Sequence, residues 1–146
     1  MIRHILVVCV GNICRSPMAE AVLRDALRGL EDVTVESAGL GALVDEPASE
    51  HSVELMRERG LDISGHRAQQ LTSELVTKAD LILVMESGHR RVIDANEPTA
   101  RGKVYRLGEW QDLEIPDPYR QPRDAFEAAL EKIDTGIADW VERLKN

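Results

Sequence analysis

At 146 residues, 43% of them hydrophobic and 30% charged, the chain has the profile of one soluble globular domain over residues 1–146, long enough to bury a core. A formal net charge of −8 argues against a nucleic-acid binder, because phosphate backbones are held mainly by Lys and Arg; solubility accounts for the charge. The apolar run Ile5 to Val10 is too short for a signal peptide and far short of the roughly 18 residues of a membrane span, so a cytoplasmic protein without membrane insertion is expected.

Ile5-Leu6-Val7-Val8 is apolar without alternation, which predicts a strand covered on both faces. Ser16-Pro17 reads as a helix start, and Ala19, Leu23, Ala26, Leu27 and Leu30 carry that helix through about four turns. Val33 to Ala38 alternates apolar and polar residues, as a second strand does. Pro47 and Ser49 open another helix that Gly60 closes, and Thr72 or Ser73 caps a shorter one ending at Lys78. Leu81 to Met85 is a further buried strand, and Val104 to Leu107 offers a fourth. From Arg123, the positions Phe126, Leu130, Ile133, Ile137, Trp140, Val141 and Leu144 form one apolar stripe, which docks a long final helix on the sheet. Strands alternating with helices imply an α/β fold: a parallel sheet with helices on both faces, whose ligands sit beyond the carboxyl ends of the strands.

The loop after the first strand reads Cys9-Val10-Gly11-Asn12-Ile13-Cys14-Arg15-Ser16. Backbone N–H groups of a loop entering a helix lack partners, and the helix dipole adds partial positive charge, so Val10, Gly11, Asn12, Ile13, Cys14 and Ser16 are expected to cradle a phosphate. Gly11 supplies backbone freedom, and Asn12 tolerates positive φ. A lone cysteine ending a buried strand is ordinarily a small core residue. At the base of an anion cradle, however, Cys9 is favoured as the thiolate and becomes a nucleophile aimed at phosphorus. Arg15 has the planar fork that holds two phosphoryl oxygens, and Ser16 can donate its hydroxyl to the sulfur. A Walker phosphate loop is excluded, because no Gly-Lys-Ser/Thr follows the glycine. No metal is expected, since the two cysteines lack zinc-ligand spacing.

A phosphate ester also needs a proton donor for its leaving oxygen. Ile115-Pro116-Asp117-Pro118-Tyr119 supplies the candidate: prolines on either side of Asp117 fix the backbone, which suits a carboxyl held at a set point. Taken locally, the same string is a Pro-Asp turn. The cradle is what makes the acid the better reading.

With these pieces, the chain closely resembles the low-molecular-weight protein tyrosine phosphatase family over about the whole domain. The strongest matches are Val8 through Pro17 and Asp117-Pro118-Tyr119; weaker ones are Glu36-Ser37-Ala38-Gly39, Gly65-His66-Arg67-Ala68 and Asp80 through Met85. The resemblance implies a three-layer αβα fold with a four-stranded parallel sheet and the phosphate-binding loop between the first strand and first helix. It implies a two-step reaction without cofactors, in which Cys9 attacks phosphorus while Asp117 protonates the tyrosine oxygen and later activates water. It also implies a hydrogen-bond network of Asn12, Ser37 and His66 that holds the loop open, and a substrate mouth lined by Tyr119 and Leu40.

Many relatives carry a second tyrosine after the first and an aromatic on the opposite wall. Here Arg120 follows Tyr119, and Leu40-Gly41-Ala42-Leu43 has no aromatic. Together with Arg101-Gly102-Lys103-Val104, these strings look most like the bacterial branch, whose partner is an autophosphorylating tyrosine kinase of capsule or exopolysaccharide export. An arsenate reductase of the same scaffold would need cysteines beyond Cys14, and a non-catalytic phosphoprotein-binding module would need neither Cys9 nor Asp117. For Cys14 two readings stand: a partner for Cys9 in a protective disulfide, or a side chain packed inside the loop.

Overall fold

The computed structural model describes residues 1–145. Its strands are β1 (His4–Cys9), β2 (Thr34–Gly39), β3 (Leu81–Val84) and β4 (Val104–Arg106); its α-helices are α1 (Arg15–Ala26), α2 (Glu50–Arg57), α3 (Ser73–Lys78), α4 (Ser87–Asn96) and α5 (Arg123–Leu144). All strand pairs are parallel, in the order β2-β1-β3-β4.

The central strands feed two cores. Ile5, Val7, Leu81, Leu83 and Met85 pack with Met18 and Leu23 of α1, Met56 of α2, and Phe126, Ile133 and Ile137 of α5. Leu6, Val8, Ile82, Val84 and Val104 turn to the other face, against Val76 of α3 and Ile93 of α4. The result is the expected three-layer αβα arrangement. Burial on both faces is why β1 and β3 read as uninterrupted apolar runs rather than alternating ones.

Three local expectations shift. α1 ends at Ala26 rather than near Leu30, in keeping with the poor helix propensity of Gly29; Leu27 and Leu30 still pack on the core from the following turn. α2 begins after Ser49, as expected, but ends at Arg57, short of Gly60, whose φ of +77° lies in the turn that follows. α4 has no counterpart in the sequence reading, because only Ile93 of its Val92-Ile93 pair is buried and no apolar stripe marks it.

From β1 the chain passes to β2 on one side and then to β3 on the other. The direction of winding therefore reverses between β1 and β3, and the crevice at that switch point opens at their carboxyl ends. Cys9 ends β1 opposite Gly39 of β2. A Cβ on Gly39 would fall on the Val10 carbonyl, so glycine there lets the segment after β2 close against the loop. Among the described residues, no helix is long and apolar enough to cross a membrane.

Candidate active site

The loop between β1 and α1 is shaped by what its carbonyls do. The Cys9, Val10 and Gly11 carbonyls accept the backbone N–H groups of Leu40, Gly41 and Leu43 at 3.0, 3.0 and 3.1 Å. The Asn12 carbonyl accepts His66 Nε2 at 2.7 Å, and the Ile13 and Cys14 carbonyls accept the Ser49 N–H at 2.8 Å and Ser52 Oγ at 3.2 Å. Six consecutive carbonyls are thus tied outward. Among the described residues, the N–H groups of Gly11 through Cys14 find no protein acceptor, so they form a concave row of donors leading into the α1 N-terminus.

Asn12 pins this geometry. It is fully buried, its φ is +58°, and its side chain makes three bonds: Nδ2 donates to Ser16 Oγ at 2.7 Å and Ser37 Oγ at 3.0 Å, and Oδ1 accepts the Gln69 N–H at 2.9 Å. The positive φ falls on Asn12 and not on Gly11, where a Cβ would meet only ordinary contacts. Ser37 Oγ donates in turn to Glu20 Oε1 at 2.6 Å. Ser16 Oγ already accepts from Asn12, so its own hydrogen is free for Cys9 Sγ at 2.9 Å. The structure thus brings together the expected residues Asn12, Ser16, Ser37 and His66, with Glu20 and Gln69 completing the network.

Arg15 is 1% exposed. Its Nη1 donates to Glu86 Oε2 at 2.7 Å and to the Ile115 carbonyl at 2.8 Å, while Nη2 lies 3.6 Å from Asp117 Oδ2. Its Nε is buried without a hydrogen-bond partner. Glu86 leads into α4, and its own N–H donates to His89 Nδ1 at 3.3 Å. Burial, with the nearby Arg15 charge second, holds the His89 imidazole below its ordinary pKa, so it serves as a neutral acceptor.

Cys9, Val10, Gly11, Ile13, Cys14, Arg15, Gly41, Leu43, Asp117 and Tyr119 line one cleft of about 140 Å³. Asp117 Oδ1 accepts the Tyr119 N–H at 3.1 Å, which sets its carboxylate in its own turn. Leu40 does not reach this cleft: it packs against the core cluster of Leu6 and Val8, and Leu43, three residues further along the loop, takes the wall position expected of it. Cys9 and Cys14 are free thiols. Burial, with Asp117 and Cys9 adding to it, pushes the Cys14 pKa from 9.0 to about 12, so Cys14 is a packed, protonated thiol.

Glu86, the Ile115 carbonyl, Glu20 and Gln69 have no place in the sequence reading. Only Glu86 carried a usable signal, since it follows a buried strand at the end of the sheet where ligands bind.

The family model "Low molecular weight phosphotyrosine protein phosphatase" matches residues 4–146. The chain is similar to the probable low molecular weight protein-tyrosine-phosphatase EpsP of Ralstonia solanacearum, with 55% identity over 145 residues, 99% of this chain and 98% of the relative. It is similar at 43% to Wzb of Escherichia coli K12, over 99% of this chain and 97% of that one. Among solved structures, the tyrosine phosphatase Wzb from Escherichia coli K30 in complex with sulphate superposes with a TM-score of 0.92 at 43% identity, over 99% of both chains. The chain belongs to the low molecular weight phosphotyrosine protein phosphatase family.

Proposed function

We propose that this protein tyrosine phosphatase works through a cysteinyl-phosphate on Cys9, with Arg15 as phosphate clamp and Asp117 as general acid and base. The observation that carries this reading is the row of carbonyls tied outward around Cys9, which leaves the Gly11–Cys14 amides for an anion. A phosphoryl group held there also gives the buried Arg15 Nε its missing acceptor. Cys9 Sγ attacks phosphorus, and the bond to the tyrosine oxygen breaks with its electron pair going to that oxygen. Asp117 protonates the leaving oxygen. Asp117 then takes a proton from water, whose oxygen attacks phosphorus and displaces the Cys9 thiolate, releasing inorganic phosphate. The Ser16 hydroxyl, 2.9 Å away, stabilises the departing sulfur. The scheme needs neither metal nor organic cofactor, and Tyr119 offers its ring to the substrate tyrosine at the mouth.

The proposed partner is a bacterial autophosphorylating tyrosine kinase of exopolysaccharide or capsule export, met in the cytoplasm; similarity to EpsP and Wzb supports this. A reductase relay is disfavoured because the chain holds only two cysteines.

Hydrolysis of p-nitrophenyl phosphate without added metal tests the chemistry. Cys9→Ser abolishes turnover, and Asp117→Asn slows it by roughly 10²- to 10⁴-fold while phosphate inhibition stays near wild type. Full activity in Cys9→Ser would refute the mechanism. Retention of a membrane tyrosine kinase by an Asp117→Ala trap tests the partner, and retention of other phosphotyrosine proteins alone counts against it.

A further inference from the structure

The turn that carries Asp117 continues through Tyr119 and Arg120. The Gln121 N–H donates to the Pro118 carbonyl at 2.9 Å, and Gln121 Nε2 donates to the Asp117 carbonyl at 2.9 Å. Arg120 holds the third position of this turn with φ +64°, where Gly or Asn would sit without strain. Nothing in the backbone calls for arginine there, so the side chain is the reason to look.

Its guanidinium lies over the Tyr119 ring, 5.2 Å from the centroid. Both residues are exposed, and the ring lines the Cys9 cleft. Arg15, Arg106 and Arg123 are held by carboxylates, whereas Arg120 pairs with none among the described residues. Besides Asp117 and Tyr119, the exposed side chains lining the cleft are the aliphatic Val10 and Leu43, and Val44 follows them in the chain. That wall then runs into Asp45 and Glu46, which repel an acidic substrate residue on their own side.

We propose that Arg120 is a specificity-determining residue, a cation fixed on the Tyr119 ring that selects phosphotyrosine segments with Asp or Glu beside the phosphotyrosine. Stacking fixes the planar fork at low cost in side-chain freedom and leaves its edge donors for a carboxylate. Among the residues lining the cleft, the only other cation is the buried Arg15, so that carboxylate meets no competing exposed cation there. This inference rests on the phosphotyrosine reading above.

The test measures kcat/KM on phosphotyrosine peptides that differ only in flanking Glu, Gln or Lys, with p-nitrophenyl phosphate alongside. For the wild-type protein the Glu-flanked peptide exceeds the Gln-flanked one by about three- to fivefold at low salt, the range of an exposed ion pair. The ratio falls toward one at roughly 0.5 M salt. Arg120→Gly accepts the positive φ and removes the preference; Arg120→Lys keeps part of it, and Arg120→Glu turns it toward the Lys-flanked peptide. A wild-type ratio of one with all peptides hydrolysed overturns the inference, as does a ratio unchanged in Arg120→Gly. Failure to hydrolyse any peptide or p-nitrophenyl phosphate overturns the phosphotyrosine reading itself, and the inference with it.

Discussion

Replacing Asn12 by alanine tests whether the loop is held by the bonds described. The substitution removes three side-chain hydrogen bonds and leaves the backbone at φ +58°. Ser16 keeps its contact with Cys9 and Ser37 keeps Glu20, so those two losses cost about 1 kcal/mol each. The Gln69 N–H is left without an acceptor, at about 1–2 kcal/mol. Alanine at positive φ adds about 1 kcal/mol. The sum is about 4 kcal/mol against the roughly 5–15 kcal/mol of an ordinary domain, or about 8–16 °C in Tm for a chain of this size. Urea denaturation and thermal melting read this directly, and p-nitrophenyl phosphate turnover reports the loop. Asn12→Gly loses the same bonds without the steric strain, so it is the more stable of the two by up to about 1 kcal/mol. An Asn12→Ala protein within about 1 kcal/mol of wild type would refute the reasoning, since a surface substitution does no more.

Two other predictions concern groups around the clamp. Glu86→Gln removes the charge that fixes Arg15; because Glu86 is 39% exposed, the discounted loss is about 1 kcal/mol, read as a roughly fivefold weaker inhibition by phosphate, and no change would remove Glu86 from its positioning role. Cys14, with its pKa near 12, stays protonated at neutral pH, so iodoacetamide leaves Cys14 unlabelled in the native protein; labelling of Cys14 at the rate of an ordinary exposed thiol would contradict its raised pKa. The same thiol keeps its proton longer folded than unfolded. Its contribution to stability is therefore complete below pH 9.0 and is lost as pH rises toward about 12, a decline that Cys14→Ala diminishes in alkaline urea melts.

The proposed site was legible in the sequence because the loop is one contiguous string whose strand-to-helix setting is visible in its flanks. Cys9, Arg15 and Ser16 follow from that string, and doubly covered β1 and β3 announce themselves by unbroken apolar runs. Helix α4 was silent for the opposite reason: it is a surface helix with a single buried aliphatic, which leaves no periodic stripe. Leu40 illustrates a register effect. One position past β2 its side chain turns to the core, and the wall falls to Leu43.

The sequence by itself therefore determined the alternation of strands and helices and the place of the loop that carries the proposed nucleophile Cys9 and clamp Arg15, since these depend on residues near one another in the chain. Tertiary structure alone decided which way the loop amides point. That orientation depends on acceptors and donors drawn from Leu40–Leu43, Ser49, Ser52, His66 and Gln69, and the aim of Arg15 depends on Glu86 and Ile115, 71 and 100 residues away. No local pattern encodes such partners, because a buried polar group is satisfied by whatever the packed fold brings beside it.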